Sequence, residues 1–407
     1  MKKKFLAVMV VIGLCVPGQM VLAEERIASL SAEEVCDLIQ ENPDNYGGYY
    51  FGGFEKELHI VPLEESSRNA IPFFFEETED HYEIIYDEPA KYSLSDLKEG
   101  FLILRESRDA LDLTSYATSS RSNGLRVSAL EWTEEKKEFI KELTGIDNIE
   151  FIVSTEFCPS EVFIDENVNI DDYVNTEEIE ERVVAWAQFG NKIENFGQDG
   201  GTILGASTLG AVAEYKDDSD SVLYITTGHG MEEGDQIYLV DSDGYGDNGA
   251  GKLGEVVDVS IGTDMDIALI EQTNDSTVVP INEKRDGTEI YDAGNAIEGH
   301  VGEISSWQNQ PVIGFDEVWA DVSWNDPDHN DVGWYENLLQ LHTVTGATES
   351  GDSGSPVFMY EFSDEDGTVI NQILVGIYKG RGRDGYLYAT RWDTVEDYYD
   401  VEMKVFQ

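Results

Sequence analysis

From about position 200 to the end of the chain, apolar residues come in short runs rather than long periodic stretches. "VLYITTG" (222–228), "DQIYLV" (235–240), "LGEVVDVS" (253–260), "DIALIE" (266–271), "ILVGIYKG" (373–380) and "YLYAT" (386–390) are spaced by Gly, Asn and Asp turns. Closely spaced β-type runs of this kind predict an all-β barrel or sandwich. One helix is predicted at the end, in "WDTVEDYYDVEMKVF" (392–406).

The first half follows a different pattern. "YYFGGFEKELHIVPL" (49–63) reads as two strands about a turn, and "YSLSDLKEGFLILRES" (92–107) places a capping-type serine before helical spacing. "NGLRVSALEWTEEKKEFIKELTGIDNIEFIVST" (123–155) reads strand, helix, strand, with Thr133 ahead of a helix whose Phe139, Ile140 and Leu143 share one face. The pattern predicts a small α+β module. Residues 159–198 are irregular and acidic, with a short helical pattern in "NTEEIEERVVAWAQF", and read as a linker carrying a processing site.

The opening "MKKKFLAVMVVIGLCVPGQMVLA" (1–23) sets three lysines before an apolar run and ends on the small-residue pattern of a secretory signal. The expected organisation is therefore a signal at 1–23, an α+β region and acidic linker at 24–198, and a β domain at 199–407. No later segment approaches the roughly 18 uninterrupted apolar residues of a membrane span, so a soluble, exported protein is expected. Of three cysteines, Cys15 leaves with the signal, and whether Cys36 and Cys158 pair is open from spacing alone. The formal net charge is −57, and from Asp199 onward 42 Asp and Glu face 9 Lys and Arg. Such a surface repels phosphate backbones and anionic lipid, which argues against nucleic-acid and membrane partners.

Two segments carry candidate chemistry: "TTGHGM" from Thr226 and "ESGDSGSPVF" from Glu349. A nucleophilic serine needs a tight turn that exposes its hydroxyl, a base, a carboxylate to orient the base, and N–H donors for the oxyanion. Gly351 and Gly354 let the chain turn on both sides of Ser353, so the N–H groups of Gly351 and Ser353 can converge on one oxyanion. His229 follows a β-run, as a strand-end base would, and Asp266 heads the run "DIAL". Asp264 reads as a surface acid, and His300, His329 and His342 sit in no comparable turn. His59 and His81 lie in the first half.

"TTGHG", "DIAL" and "GDSGSPV", in that order, resemble the signature segments of the chymotrypsin-like serine peptidases. "GGTILGASTLGAVAEY" (200–215) and the closing segment from Val375 are most similar to the bacterial branch of the streptogrisins and α-lytic peptidase, and parts of the first half more weakly resemble its pro regions. The resemblance implies two six-stranded antiparallel β-barrels with a C-terminal helix behind a small α+β pro region. It implies a secreted bacterial serine endopeptidase, made as a precursor, with Ser353 as nucleophile, His229 as base and Asp266 as its orienter. A peptide substrate, the pro region as intramolecular inhibitor, a monomer and no required cofactor go with it. The competing reading is a catalytically silent binding or adhesion protein on the same scaffold.

Two departures stand out. Gly230 occupies the place of the family's usual cysteine, and Ser355 follows Gly354 as in some glutamyl endopeptidases. By resemblance the specificity pocket is walled by Ala347, Thr348 and Ser350 on one side and Tyr378, Lys379, Gly380 and Arg381 on the other. Lys379, Arg381 and Arg383 share strand parity, so they either receive a substrate carboxylate or pair with the abundant acids. Glutamyl endopeptidases carry a histidine where Tyr378 stands, which counts against the first. "DSDGYGDNG" from Asp241 crowds acids about glycines without EF-hand spacing, so it reads as a solvated turn or a weak calcium site.

Overall fold

The computed structural model describes residues 30–52, 56–63, 78, 82–158, 185–198, 204–239, 251–262, 264–276, 278–326, 331–363 and 368–406. The signal, most of the linker, the acidic turn at 241–249, His81 and His329 lie outside them. The chain divides into two units: Met1–Lys98 with Ser120–Asn123, and Glu99–Ser119 with Gly124–Gln407.

In the first unit, α1 (Ala32–Gln40) begins at a reciprocal cap, with the Glu34 N–H donating to Ser31 Oγ and the Ser31 N–H to the Glu34 carboxylate. A three-stranded sheet follows, with β1 (Tyr46–Phe51) antiparallel to β2 (Glu57–Pro62) and β2 parallel to β3 (Glu83–Tyr86). His59 stacks on Tyr50 with ring centroids 4.5 Å apart, and its Nδ1 lies 3.0 Å from Asp87.

The helix α2 (Leu94–Ser107) belongs to the second unit from Glu99 onward. That unit continues through β4 (Leu113–Ser119), β5 (Gly124–Ala129), α3 (Glu134–Thr144) and β6 (Ile149–Val153). Thr133 caps α3 through its hydroxyl, and Gly145 closes it at φ 71°, a left-handed conformation that glycine adopts without a Cβ clash. Beyond the linker come β7 (Ala185–Phe189), β8 (Lys192–Asn195), β9 (Gly205–Thr208), β10 (Ala211–Tyr215), β11 (Asp218–Thr226), β12 (Gln236–Leu239), β13 (Gly251–Gly262) and β14 (Met265–Glu271). Then follow β15 (Val278–Lys284), β16 (Asp292–Ala293), β17 (Val301–Ile304), β18 (Val312–Asp326), β19 (Asp331–Thr345), β20 (Pro356–Phe362), β21 (Val369–Arg381), β22 (Leu387–Arg391), α4 (Trp392–Tyr399) and β23 (Val401–Met403).

These strands form two large sheets, as the all-β reading expects. One runs β23-β10-β11-β14-β13-β12-β8-β9. The other contains the ring β17-β20-β21-β22-β19-β18, which closes because β18 also pairs with β17. Here is the expected six-stranded antiparallel barrel, and β4, β5 and β6 extend it along β18, where Val322 pairs with Ser115. The helix predicted over 392–406 is shorter, because Asp400 takes a left-handed conformation at φ 54° and the chain turns back into β23.

Strand alternation divides the core cleanly. On β14, Met265, Ile267 and Leu269 join Phe189, Ile225, Phe358, Ile377 and Trp392, while Ala268 and Ile270 face the first sheet's interior with Tyr224, Ile237 and Leu253. A third cluster, with Ile304, Phe315, Leu341, Val357 and Tyr378, fills the closed ring. Trp392 is fully buried in the first cluster, and its Nε1 donates to Glu396 Oε1 at 2.8 Å. Trp392→Ala leaves a large cavity there and should cost about 3–5 kcal/mol, to be read as a lowered urea midpoint at unchanged slope.

Candidate active site

Three loops of the second unit supply the site. Asp266, at the start of β14, is buried and surrounded by donors. Its Oδ1 accepts the N–H groups of Gly228 at 2.9 Å and His229 at 2.8 Å. Its Oδ2 accepts the Thr227 hydroxyl at 2.9 Å and lies 2.5 Å from His229 Nδ1. Gly228 is required by proximity, since a Cβ there would stand 2.9 Å from the Ile267 carbonyl oxygen. Burial alone would push the Asp266 carboxyl up, but the neighbouring His229 and Lys379 hold it well below the usual carboxylate range. An ionised carboxylate only accepts, so the imidazole carries its proton on Nδ1 and leaves the Nε2 lone pair available as a base.

Gly230 stands at φ 82° with open space where a Cβ would project, so no disulfide braces this turn. Hydrogen bonds do that instead. Asn195 Nδ2 donates to the Gly230 carbonyl at 3.0 Å and to Asp235 at 2.7 Å, and Asp235 also accepts the Glu232 N–H at 2.8 Å. The two cysteines of the described residues, Cys36 and Cys158, are buried and form no disulfide.

The serine turn is held by its carbonyls. Thr208 Oγ1 donates to the Gly351 carbonyl at 2.9 Å, and the Ser353 carbonyl accepts the Thr208 N–H at 3.0 Å and Ser207 Oγ at 2.6 Å. Gly351 (φ 96°) and Gly354 (φ 89°) take left-handed conformations, and a Cβ on Gly354 would lie 2.2 Å from Thr226 Oγ1. The N–H groups of Asp352, Gly354 and Ser355 bond within or below the turn, whereas those of Gly351 and Ser353 have no internal partner among the described residues. An oxyanion formed at Ser353 would need such N–H groups without an internal partner. Ser353 is only 3% exposed, and its Oγ donates to the Lys379 carbonyl at 2.9 Å rather than to the imidazole.

Between the two sits Asp352, whose buried carboxyl accepts the Glu349 N–H at 2.7 Å through Oδ2. Burial pushes it up to about 6. The folded protein then holds this proton where the unfolded chain has lost it, so stability falls as pH rises from about 4 to 6. Replacing Asp352 by Asn removes that loss. The variant should gain on wild type by roughly 2 kcal/mol between pH 4 and 6 and no further above, read by urea unfolding across that range; parallel pH curves would contradict it.

The expected specificity wall is corrected in two places. Tyr378 is buried in the core of the closed ring, and Lys379 is buried with its Nζ 2.8 Å from Asp266 Oδ2 and 2.6 Å from Asp331 Oδ2. Neither is available to a substrate carboxylate. The parity argument fails because the register of β21 against β22 shifts between Tyr378 and Gly380, so Lys379 and Arg381 no longer share a face. Arg381 does remain partly exposed, donating to the Gly385 carbonyl at 3.1 Å and Thr348 Oγ1 at 3.2 Å, and Ala347 and Ser350 stay accessible. Arg383 donates to the Thr155 carbonyl at 3.1 Å. Asp264 is exposed as expected, His342 is exposed beside Asp316, and His300 is buried, with burial pushing it down to about 4.

Of the residues touching this site, Asp331 escaped sequence reading, and Lys379 was read into the specificity wall rather than behind the base. The one available signal was a lysine inside the apolar run "ILVGIYKG". His229, Asp266 and Asp331 offer ligand atoms within 4.8 Å of one another, but the Lys379 ammonium already bonds both carboxylates and supplies the positive charge there. No helix of the described residues is long and apolar enough to cross a membrane.

No protein-family model and no curated protein matches the chain. Among solved structures it is similar to a Nocardiopsis protease, at 18% identity and a TM-score of 0.39, covering 54% of this chain and 100% of that one. Thermobifida fusca protease A gives 16% identity and a TM-score of 0.38, covering 55% and 100%. A glutamic acid-specific serine protease that uses a histidine triad in substrate binding gives 17% and 0.37, covering 53% and 100%.

Proposed function

We propose that the chain is a secreted serine endopeptidase, made as a precursor. What supports this reading is the buried Asp266–His229 pair and a Ser353 turn in which the N–H groups of Gly351 and Ser353 have no internal partner among the described residues, the two linked through Lys379, whose Nζ meets Asp266 and whose carbonyl accepts the Ser353 hydroxyl. In the reaction, the Ser353 hydroxyl turns from the Lys379 carbonyl to Nε2 of His229 and attacks the peptide carbonyl as the imidazole takes its proton. Asp266 holds the ring and stabilises the imidazolium, and the two N–H groups receive the oxyanion. The leaving amine takes the proton from His229, and a water activated by the same ring then releases the acyl group from Ser353. Each of these steps is assigned to a residue of the chain.

The precursor reading draws support from β4–β6, which extend the closed ring along β18. Arg105 also bonds a strand of this ring, with Nε and Nη2 each 2.7 Å from the buried carboxylate of Asp321 on β18. Strands and a bidentate ion pair contributed from 24–158 suit a segment that assists folding of the β domain before its removal. Cleavage within 159–184, the part of the linker ahead of β7 and β8, leaves the first large sheet and the closed ring with the enzyme and takes β4–β6 away.

A second reading has one observation in its favour. The Ser353 hydroxyl rests on a carbonyl, as it would in a silent scaffold. Exposure of the secreted protein to a fluorophosphonate separates the two: the enzyme reading expects covalent mass on Ser353, and absence of the adduct after prolonged exposure favours a binding protein.

A further inference from the structure

An ammonium group buried directly behind the base is not needed by the reaction just described. Lys379 Nζ lies against Asp266 and Asp331, 4.3 Å from the ring centroid of Trp324 and 3.9 Å from that of Tyr335. The Tyr335 hydroxyl donates to Asp331 Oδ1 at 2.6 Å, so Asp331 is satisfied on both oxygens. Lys379 also touches the other end of the site, through the carbonyl that accepts the Ser353 hydroxyl.

We propose that Lys379 and Asp331 are positioning residues that set the charge behind His229. The inference rests on the peptidase reading for its catalytic meaning and on geometry alone for its electrostatics. A lone lysine at this place would cancel the Asp266 charge and remove what stabilises the imidazolium. A second carboxylate alone would stabilise the imidazolium too well and keep the base protonated. Together they are neutral, and the cluster Asp266, Lys379 and Asp331 presents the imidazole with the net single negative charge of one aspartate.

The remaining groups facing this cluster leave that balance intact. Tyr335, on β19, is held far above its ordinary range by burial and by Asp266 and Asp331, and so stays neutral. Burial pushes the Cys158 thiol, which packs against Trp324 and Tyr335, up to about 12. Lys379 stays charged because the two carboxylates outweigh the cost of burial.

The test follows the imidazole itself. Protein carrying 13C-histidine is titrated by NMR as wild type, Asp331→Asn, Lys379→Met and the double variant, with the His229 signal assigned by its loss in His229→Gln. The His229 titration midpoint should fall by about one pH unit in Asp331→Asn, rise by about one in Lys379→Met, and return to within a few tenths of wild type in the double variant. The acid limb of fluorophosphonate labelling should move the same way. Opposite shifts that cancel are beyond a merely structural role. Shifts of one sign, or none, overturn the proposal, and if Lys379→Met does not fold, Asp331→Asn against the double variant decides. Should wild type resist labelling while the NMR shifts appear, the peptidase reading falls and the charge balance stands.

Discussion

Ser353→Ala should lower hydrolysis of fluorescent casein by about 10⁶-fold per mature molecule, leaving only what the oxyanion donors and binding supply. The substitution removes one buried oxygen that donates to the Lys379 carbonyl. The turn itself is fixed by Thr208, Ser207 and the left-handed glycines, so the fold should be unchanged by circular dichroism. To keep failed maturation out of the comparison, the variant is processed by a trace of wild-type enzyme that is then inactivated. Residual activity above about 1% of wild type would remove Ser353 from the chemistry.

Asp266→Asn should be nearly as damaging, at about 10⁴-fold in kcat, with KM little changed. The amide presents a donor where Nδ1–H now donates, which favours the tautomer with its proton on Nε2 and leaves the serine without a base. Here the change carries a second cost, because the ammonium of Lys379 loses one of two carboxylate partners in a fully buried position. Breaking a buried pair from one side costs about 3–5 kcal/mol, so the variant should also be measurably less stable in urea. A loss of stability without a loss of kcat would make Asp266 a structural residue only.

Much of the site was legible because strand alternation is local. "DIALIE" places Ala268 and Ile270 inside the first sheet, and the strand start then brings Asp266 to the imidazole. The serine turn was legible for a similar reason, since Gly351 and Gly354 mark the two left-handed positions directly. Lys379 was misread where that locality breaks. A register shift in β21 puts Lys379 and Arg381 on different faces, and no spacing within "GIYKGRGR" announces it. Asp331 was invisible because it meets Lys379 only when β19 closes the ring beside β22. The pairing of β4 with β18 was also out of reach, being a contact between segments some 200 residues apart.

The central claim is that Ser353 cuts peptide bonds, and the most direct measurement is the intact mass of secreted wild-type protein and Ser353→Ala, made side by side in a host lacking extracellular proteases. The account predicts that wild type loses the region ahead of the linker while the variant keeps it. Identical full-length masses, together with no fluorophosphonate adduct on wild type, would contradict it.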